Sequence, residues 1–182
     1  MAKHLLKYSS ETNLILGCKN QERDAQYAVF QLYAGKMLAV CKRYLGNGPE
    51  AEDTLMEGFM KVFTKIDAFQ EQGSFEGWIR RIFTNEALMK IRKNHRFQWI
   101  DIDETWDLSS PENGMMNLQV EEIERMIEDL PMGYRTIFNL YAIEGYSHKE
   151  IAEMLQISEG TSKSQLSRAR MILQTKFNNS QI

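Results

Sequence analysis

The 182-residue chain has only two cysteines, Cys18 and Cys41, and they do not form a metal-ligand spacing. They are expected to be reduced thiols, not part of a disulfide framework or a zinc site. The three histidines, His4, His95 and His148, are scattered and lack nearby partners of the kind a general base needs. A phosphate-cradling glycine loop is missing as well. The expectation is therefore a non-enzymatic chain with no catalytic residues, no metal and no cofactor. No apolar run is long enough to span a bilayer. Ile15-Leu16-Gly17-Cys18 has the outline of a lipoprotein cleavage site, but the residues before it, Lys7 to Asn13, are polar and supply no signal segment. The chain is expected to be cytoplasmic, without stable membrane insertion. Strand-length alternation, internal repeats and low-complexity tracts are also absent, which leaves an all-α fold.

Hydrophobic residues make up 43% and charged residues 26%, so the chain should fold. Its length allows one medium domain or two small ones. A net charge of −3 looks wrong for a nucleic-acid binder until the charge is mapped. Between Ile100 and Leu130 ten acidic residues face Arg125 alone, a local charge of −9 that leaves +6 on the rest of the chain. Two basic regions thus flank an acidic middle.

Met1 to Asn13 is polar and is expected to be loose. A first helix should start near Glu11–Asn13 with Leu14, Ile15 and Leu16 facing inward. Asp24 to Leu45 carries Ala25, Ala28, Val29, Leu32, Met37, Val40 and Cys41 at helical spacing, and Gly46-Asn47-Gly48-Pro49 breaks it. Glu50 to Ile66 is the next helix, with a stripe of Leu55, Phe59, Val62, Phe63 and Ile66. Its charges, Glu52, Asp53, Glu57, Lys61 and Lys65, fall mainly elsewhere, as on an ordinary solvated face. A loop, Asp67 to Ser74, contains Phe69 and Gln70. Phe75 to Lys93 should again be helical, with Trp78, Ile79, Ile82, Phe83, Ala87 and Ile91 facing the core. It also carries Arg80, Arg81, Asn85, Lys90, Arg92 and Lys93, with His95 and Arg96 just beyond. The helical spacing favours core packing for Trp78. Phe69, as a loop aromatic, is less easily explained by a core.

The acidic stretch Ile100 to Leu118 contains Ser109-Ser110-Pro111 and Asn113-Gly114 and reads as a tether between domains. Gln119 to Asp129 resumes a helix with Val120, Ile123, Met126, Ile127 and Leu130 as its stripe, and Pro131 ends it. Tyr134 to Ala142 follows, with Ile137, Phe138 and Tyr141 inward. Two short helical patterns then lie close together. Ser147 and Glu150 form a capping box at the start of the first, which buries Ile151, Ala152 and Leu155. Ser158 caps the second, which begins at Glu159 and turns Leu166, Ala169, Ile172 and Leu173 inward. This spacing predicts a helix-turn-helix, whose second helix suits a DNA major groove. Such helix pairs also occur in proteins that never touch DNA. Here the second helix has no acid after Glu159, and it offers Thr161, Ser162, Lys163, Gln165, Arg168 and Arg170 to phosphates and base edges.

The run Leu130 to Leu173 resembles region four of bacterial sigma factors, most nearly the extracytoplasmic-function (ECF) group. The resemblance rests on Leu130-Pro131, Arg135, Phe138, Glu144-Gly145, Ser147, Glu150-Ile151-Ala152, Ile157-Ser158, Glu159-Gly160-Thr161, Lys163-Ser164 and Arg168-Ala169-Arg170. It implies recognition of the minus-thirty-five promoter element by Ser147, Thr161, Ser162, Lys163, Gln165 and Arg168. Upstream, Ala51-Glu52-Asp53, Leu55, Glu57, Phe59 and Phe63 resemble the sigma segment that docks on the polymerase clamp helices, with Met56 where the family usually has glutamine. Docking is thereby assigned to Glu52, Asp53, Met56, Glu57 and Met60. Phe75, Gly77-Trp78, Arg81-Ile82, Asn85 and Arg92 resemble the segment that opens and reads the minus-ten element. That implies a minus-ten surface of Phe69, Gln70, Arg80, Arg81, Asn85, Arg92, Lys93 and Arg96. The turn has Gln156 where the family often has glycine.

The resemblance covers roughly Asp24 to Leu173 in two blocks, in the family's order. It implies an N-terminal region-two-like domain over 1–99, a flexible acidic linker over 100–118 and a C-terminal region-four-like helix-turn-helix domain over 119–182. The implied function is that of a promoter-specificity subunit that directs initiation while polymerase supplies the chemistry. Its implied partners are core RNA polymerase through the clamp helices and flap, promoter DNA both duplex and single-stranded, and an anti-sigma factor. Two other readings use fewer of the features. A conventional helix-turn-helix regulator would bind duplex sites by itself, typically as a dimer. An interaction adaptor would show no salt-dependent nucleic-acid binding.

Overall fold

A computed structural model describes residues 10–93 and 120–179. Every regular element among them is helical, and the chain divides into two compact units between Ile91 and Arg92. The linker expected over 100–118 and Arg96 lie outside the described residues.

The N-terminal unit begins with α1 (Glu11–Lys19), capped by Ser10, whose Oγ accepts from Asn13 N–H at 3.2 Å. Leu14, Ile15 and Cys18 define its buried face. Leu16, expected inside, is exposed because it lies well round the helix from that face. Helix α2 (Arg23–Leu45) buries Val29, Tyr33, Met37, Val40 and Tyr44 at helical spacing and ends at Gly46, which takes φ +84. Leu32 was expected in this stripe and falls outside it, exposed. Helix α3 (Pro49–Thr64) opens with proline in its first turn, where a missing N–H costs nothing. It stops at Thr64, short of the expected Ile66, and a 3₁₀ turn (Ile66–Ala68) brings Ile66 back into the core. Ser74 Oγ accepts from Gly77 N–H at 3.0 Å and starts α4 (Phe75–Lys93).

The core of this unit is aromatic. Phe59 packs on Phe30 (centroids 4.8 Å) and edge-on to Phe83 (5.1 Å), and Phe75 meets Tyr33 edge-on (5.9 Å). Helices α3 and α4 approach so closely that a Cβ on Gly58 would lie 2.3 Å from the Phe83 ring. Both thiols are buried, and burial pushes Cys18 up to about 11 and Cys41 up to about 12, which leaves them protonated and unreactive.

The C-terminal unit starts with α5 (Val120–Glu128). Leu130 is buried and Pro131 precedes α6 (Met132–Phe138). The expected helix from Tyr134 to Ala142 is not uniform. After Phe138 it widens into a π-helical turn (Asn139–Ile143), in which Glu144 N–H reaches back to the Asn139 carbonyl at 2.9 Å. The wide turn buries Asn139 and Leu140 and leaves Ile143 exposed. Gly145, at φ +79, then redirects the chain into α7 (His148–Leu155), and α8 (Glu159–Asn179) follows. Ile137, Leu140, Ile151, Leu155, Leu166 and Ala169 form a small aliphatic core. Lys176 Nζ meets Asp129 Oδ2 at 2.9 Å and ties the far end of α8 to the end of α5.

Candidate polymerase and promoter interfaces

The helix-turn-helix is built as its residue pattern requires. Ser147 Oγ accepts from Glu150 N–H while the Glu150 carboxylate accepts from Ser147 N–H at 2.9 Å, a complete capping box. Helix α7 ends at Gln156, which adopts the left-handed conformation (φ 56, ψ 46) that usually falls to glycine. That conformation costs a side-chain-bearing residue about 1–2 kcal/mol. Ser158 Oγ then accepts from Thr161 N–H at 2.9 Å to start α8.

Two of the residues assigned to the upstream element are corrected by their burial. Ser162 is 0% exposed and Gln165 4% exposed. With Leu166 and Ala169 they form the inward stripe of α8 at spacings of three and four, so neither side chain faces solvent. Polarity alone points both outward, whereas helical phase turns them in. Ser162 Oγ instead lies 2.9 Å from His148 Nδ1 on α7. The His148 ring stacks on Tyr141 (4.6 Å, 24°), and the Arg170 guanidinium carbon lies 5.7 Å from the Tyr141 centroid. Burial, with Lys163 and Arg170 nearby, lowers the pKa of His148 and keeps the ring neutral, against a smaller opposing effect of Glu159. The face that α8 does present carries exposed Lys163, Ser167 and Arg170, flanked by half-buried Thr161, Ser164 and Arg168. Ser167 was missed, although it lies one helical turn beyond Lys163.

Helix α4 presents a second polar stripe. Arg81, Asn85, Met89 and Arg92 are exposed at spacings of three and four, with Lys93 beside them, and Gln70 is exposed in the preceding loop. Phe69 is corrected. It is 4% exposed, and its ring packs on Phe75 (5.2 Å) and Trp78 (5.4 Å). The 3₁₀ turn folds this loop aromatic back into the core, so it is not displayed for stacking on a base. Arg80 is half-buried, and its Nη2 lies 3.4 Å from Glu76 Oε1. Glu76 also binds Lys36 Nζ at 2.6 Å, and that bond, with a lesser contribution from Arg80, holds its carboxyl below the usual range.

On α3 the five residues assigned to docking share one exposed face: Glu52, Asp53, Met56, Glu57 and Met60. The two methionines are 57% and 68% exposed. Phe59, which resembled part of the docking motif, points the other way into the core. On α3 and α4 together, Lys61 Nζ grips both oxygens of buried Glu86 at 2.7 and 2.6 Å, and Lys90 Nζ binds Glu57 Oε1 at 2.7 Å. Among the described residues no cluster of His, Cys, Asp or Glu is suited to a metal ion. No described helix is long and apolar enough to cross a membrane.

A helical unit with a polar, partly basic outer stripe, followed by a capped helix-turn-helix with a cationic second helix, is the architecture of an all-helical DNA-binding protein. Sigma-70 region 2 matches residues 29–97 and Sigma-70, region 4 matches residues 120–173. The chain is 31% identical to the ECF RNA polymerase sigma factor SigW of Bacillus subtilis, over 87% of this chain and 92% of that protein. It is 29% identical to the ECF RNA polymerase sigma-E factor of Escherichia coli, over 79% of this chain and 82% of that one. In fold it is similar to the sigma factor RpoE of Bartonella quintana, solved with the anti-sigma factor NepR, with a TM-score of 0.53, 24% identity and coverage of 84% and 96%. It is also similar to CnrH, solved with the cytosolic domain of CnrY, with a TM-score of 0.50, 21% identity and coverage of 91% and 96%. The chain belongs to the ECF family of RNA polymerase sigma factors. Its function is that of a promoter-recognition subunit in transcription initiation.

Proposed function

We propose that this sigma subunit divides its work among three surfaces. The Glu52, Asp53, Met56, Glu57 and Met60 face of α3 docks on core polymerase. The methionines supply adaptable apolar contact and the carboxylates supply charge complementarity. Arg81, Asn85, Arg92 and Lys93 on α4, with Gln70, hold the minus-ten strand as it opens. Thr161, Lys163, Ser164, Ser167, Arg168 and Arg170, with Ser147 at the start of α7, engage the minus-thirty-five duplex. Ser162 and Gln165 act from inside, by holding α8 against α7. The observation that carries this reading is the coincidence of exposure and polarity on α3, α4 and α8, each facing away from its own unit's core.

An anti-sigma factor is the expected regulator. RpoE and CnrH, which share the fold, were each solved with a second protein, in the case of RpoE an anti-sigma factor. The exposed methionines of α3 are surfaces such a protein could cover. The chain itself is expected to be a non-catalytic, cytoplasmic specificity subunit.

The test is transcription in vitro with purified bacterial core polymerase, with and without this protein, on a genomic promoter library. Protein-dependent starts sharing a two-part motif are the expected result. Arg168→Ala should weaken binding of the holoenzyme to that promoter and, if Arg168 contacts a phosphate, lower the salt slope by about one. Asp53→Ala and Met56→Ala should weaken core binding while leaving the fold intact. No starts, together with tight binding of the protein alone to duplex DNA, would overturn the reading in favour of a conventional regulator.

A further inference from the structure

The two lysine–carboxylate pairs between α3 and α4 form a reciprocal set. Helix α3 contributes Glu57 and Lys61, and α4 contributes Glu86 and Lys90. Glu57 binds Lys90 at 2.7 Å and Lys61 binds Glu86 at 2.6 Å. On each helix the acid precedes the base by four residues, and the helices pair in opposite directions. The arrangement discriminates against slippage. Sliding α4 one helical turn, about 5.4 Å, in one direction would set Glu57 against Glu86. Sliding it one turn in the other direction would set Lys61 against Lys90. Both slips oppose like charges. In one of them buried Glu86, with an 8% exposed side chain, would also face a second carboxylate.

The apolar contact beneath the charged pairs sets the spacing of the two helices. Gly58 lets the Phe83 ring sit directly on the α3 backbone, which sets the distance between the helices. The same ring meets Phe59 edge-on at 5.1 Å, so this contact also resists sliding. The charged rim adds a discrimination that apolar packing lacks, because a slipped apolar face still meets apolar side chains whereas a slipped rim opposes like charges. Lys90 also lies in the field of Asp53 and Glu50, and its bond to Glu57 raises its pKa, so it stays fully charged.

We infer that Glu57, Lys61, Glu86 and Lys90 are positioning residues, fixing the height of α4 against α3 so that a polymerase bound through α3 meets the promoter strand in register with Arg81, Asn85 and Arg92. The inference rests on the docking and strand-holding roles proposed above. It adds four residues that link those roles, three of them outside every surface assigned so far.

The experiment compares two templates in reconstituted holoenzyme: a duplex promoter and the same promoter with its minus-ten region pre-opened by mismatches. Lys61→Glu and Glu86→Lys singly should lower initiation on the duplex about tenfold, in the range measured for coupled charge pairs. They should stay within about twofold of the parent on the pre-opened template and in core affinity, because those steps do not need the register. The double swap Lys61→Glu with Glu86→Lys should restore duplex initiation. Lys90→Gln, which removes a charge without reversing it, should give a smaller loss with the same template dependence. It stands in if the single reversals at 61 or 86 melt below the assay temperature. Equal losses on both templates, or a folded double swap that does not recover, would overturn the inference. Failure of the docking reading shows separately: Asp53→Ala and Met56→Ala would then leave core affinity unchanged whatever the swap does.

Discussion

The two units pack their helices in different ways. The N-terminal unit is centred on Phe59, Phe75, Phe83 and Tyr44, all buried. In the C-terminal unit the aromatic side chains among the described residues, Tyr134, Phe138, Tyr141, Tyr146 and Phe177, are all partly exposed, and the core is Ile, Leu and Ala. The C-terminal unit also takes more neutral polar side chains inside: Thr136, Asn139, Ser162 and Gln165. The contrast follows from what each unit presents. Large rings fill the space between long helices and leave the polar stripes of α3 and α4 outside. The helix-turn-helix brings α7 and α8 into close contact across a tight turn, and close contact needs small side chains and local hydrogen bonds at the interface.

The comparison can be broken most forcefully in the aromatic core. Phe83→Ala should destabilise the N-terminal unit by about 3–5 kcal/mol. Amide hydrogen exchange should then show lost protection in α3 and α4, with α7 and α8 unchanged. Parallel loss in both units would mean that they do not unfold independently. In the C-terminal unit the local bonds carry more weight. Ser147→Ala removes one half of the capping box and should cost about 1 kcal/mol, read as a lower urea midpoint for that unit alone. Gln156→Gly relieves the left-handed strain and should raise the same midpoint by at most about 1 kcal/mol, because the more flexible unfolded chain offsets part of the gain.

The smallest effect is with pH. The His148 pKa is lowered in the folded unit, so the unfolded chain binds the proton more readily. Stability associated with His148 is full above the ordinary histidine pKa of about 6.5. It is lost as pH falls from there toward the lower folded value. His148→Asn should flatten the C-terminal unit's stability across that window. An unchanged slope would place the titration elsewhere.

Much of the architecture is legible in the sequence. Helix starts were marked by Ser147 with Glu150 and by Ser158, and breaks by Gly46 to Pro49 and by Pro131, because capping and proline act within a few residues. The exposed face of α3 was legible too, since Glu52, Met56 and Met60 keep one helical phase. The errors share one physical source. Leu16 and Leu32 were placed inside because they are apolar, and Ser162 and Gln165 outside because they are polar, yet phase around the helix decided each. Phe69 could not be placed from a loop sequence, because only the 3₁₀ turn aims its ring at Phe75 and Trp78. The widened turn at Asn139–Ile143 had no sequence signal, since the residues there fit an ordinary helix equally well.

The sequence by itself determined the all-helical class, the capped helix-turn-helix, the cationic second helix and the family to which the chain belongs. Each of these depends on residue type and on spacing within one turn or one segment. The tertiary structure decided which polar residues of α8 face outward, that Phe69 is core, and that Glu57, Lys61, Glu86 and Lys90 pair across two helices. Those outcomes depend on how separate segments dock, and 25 residues separate the partners Lys61 and Glu86 along the chain.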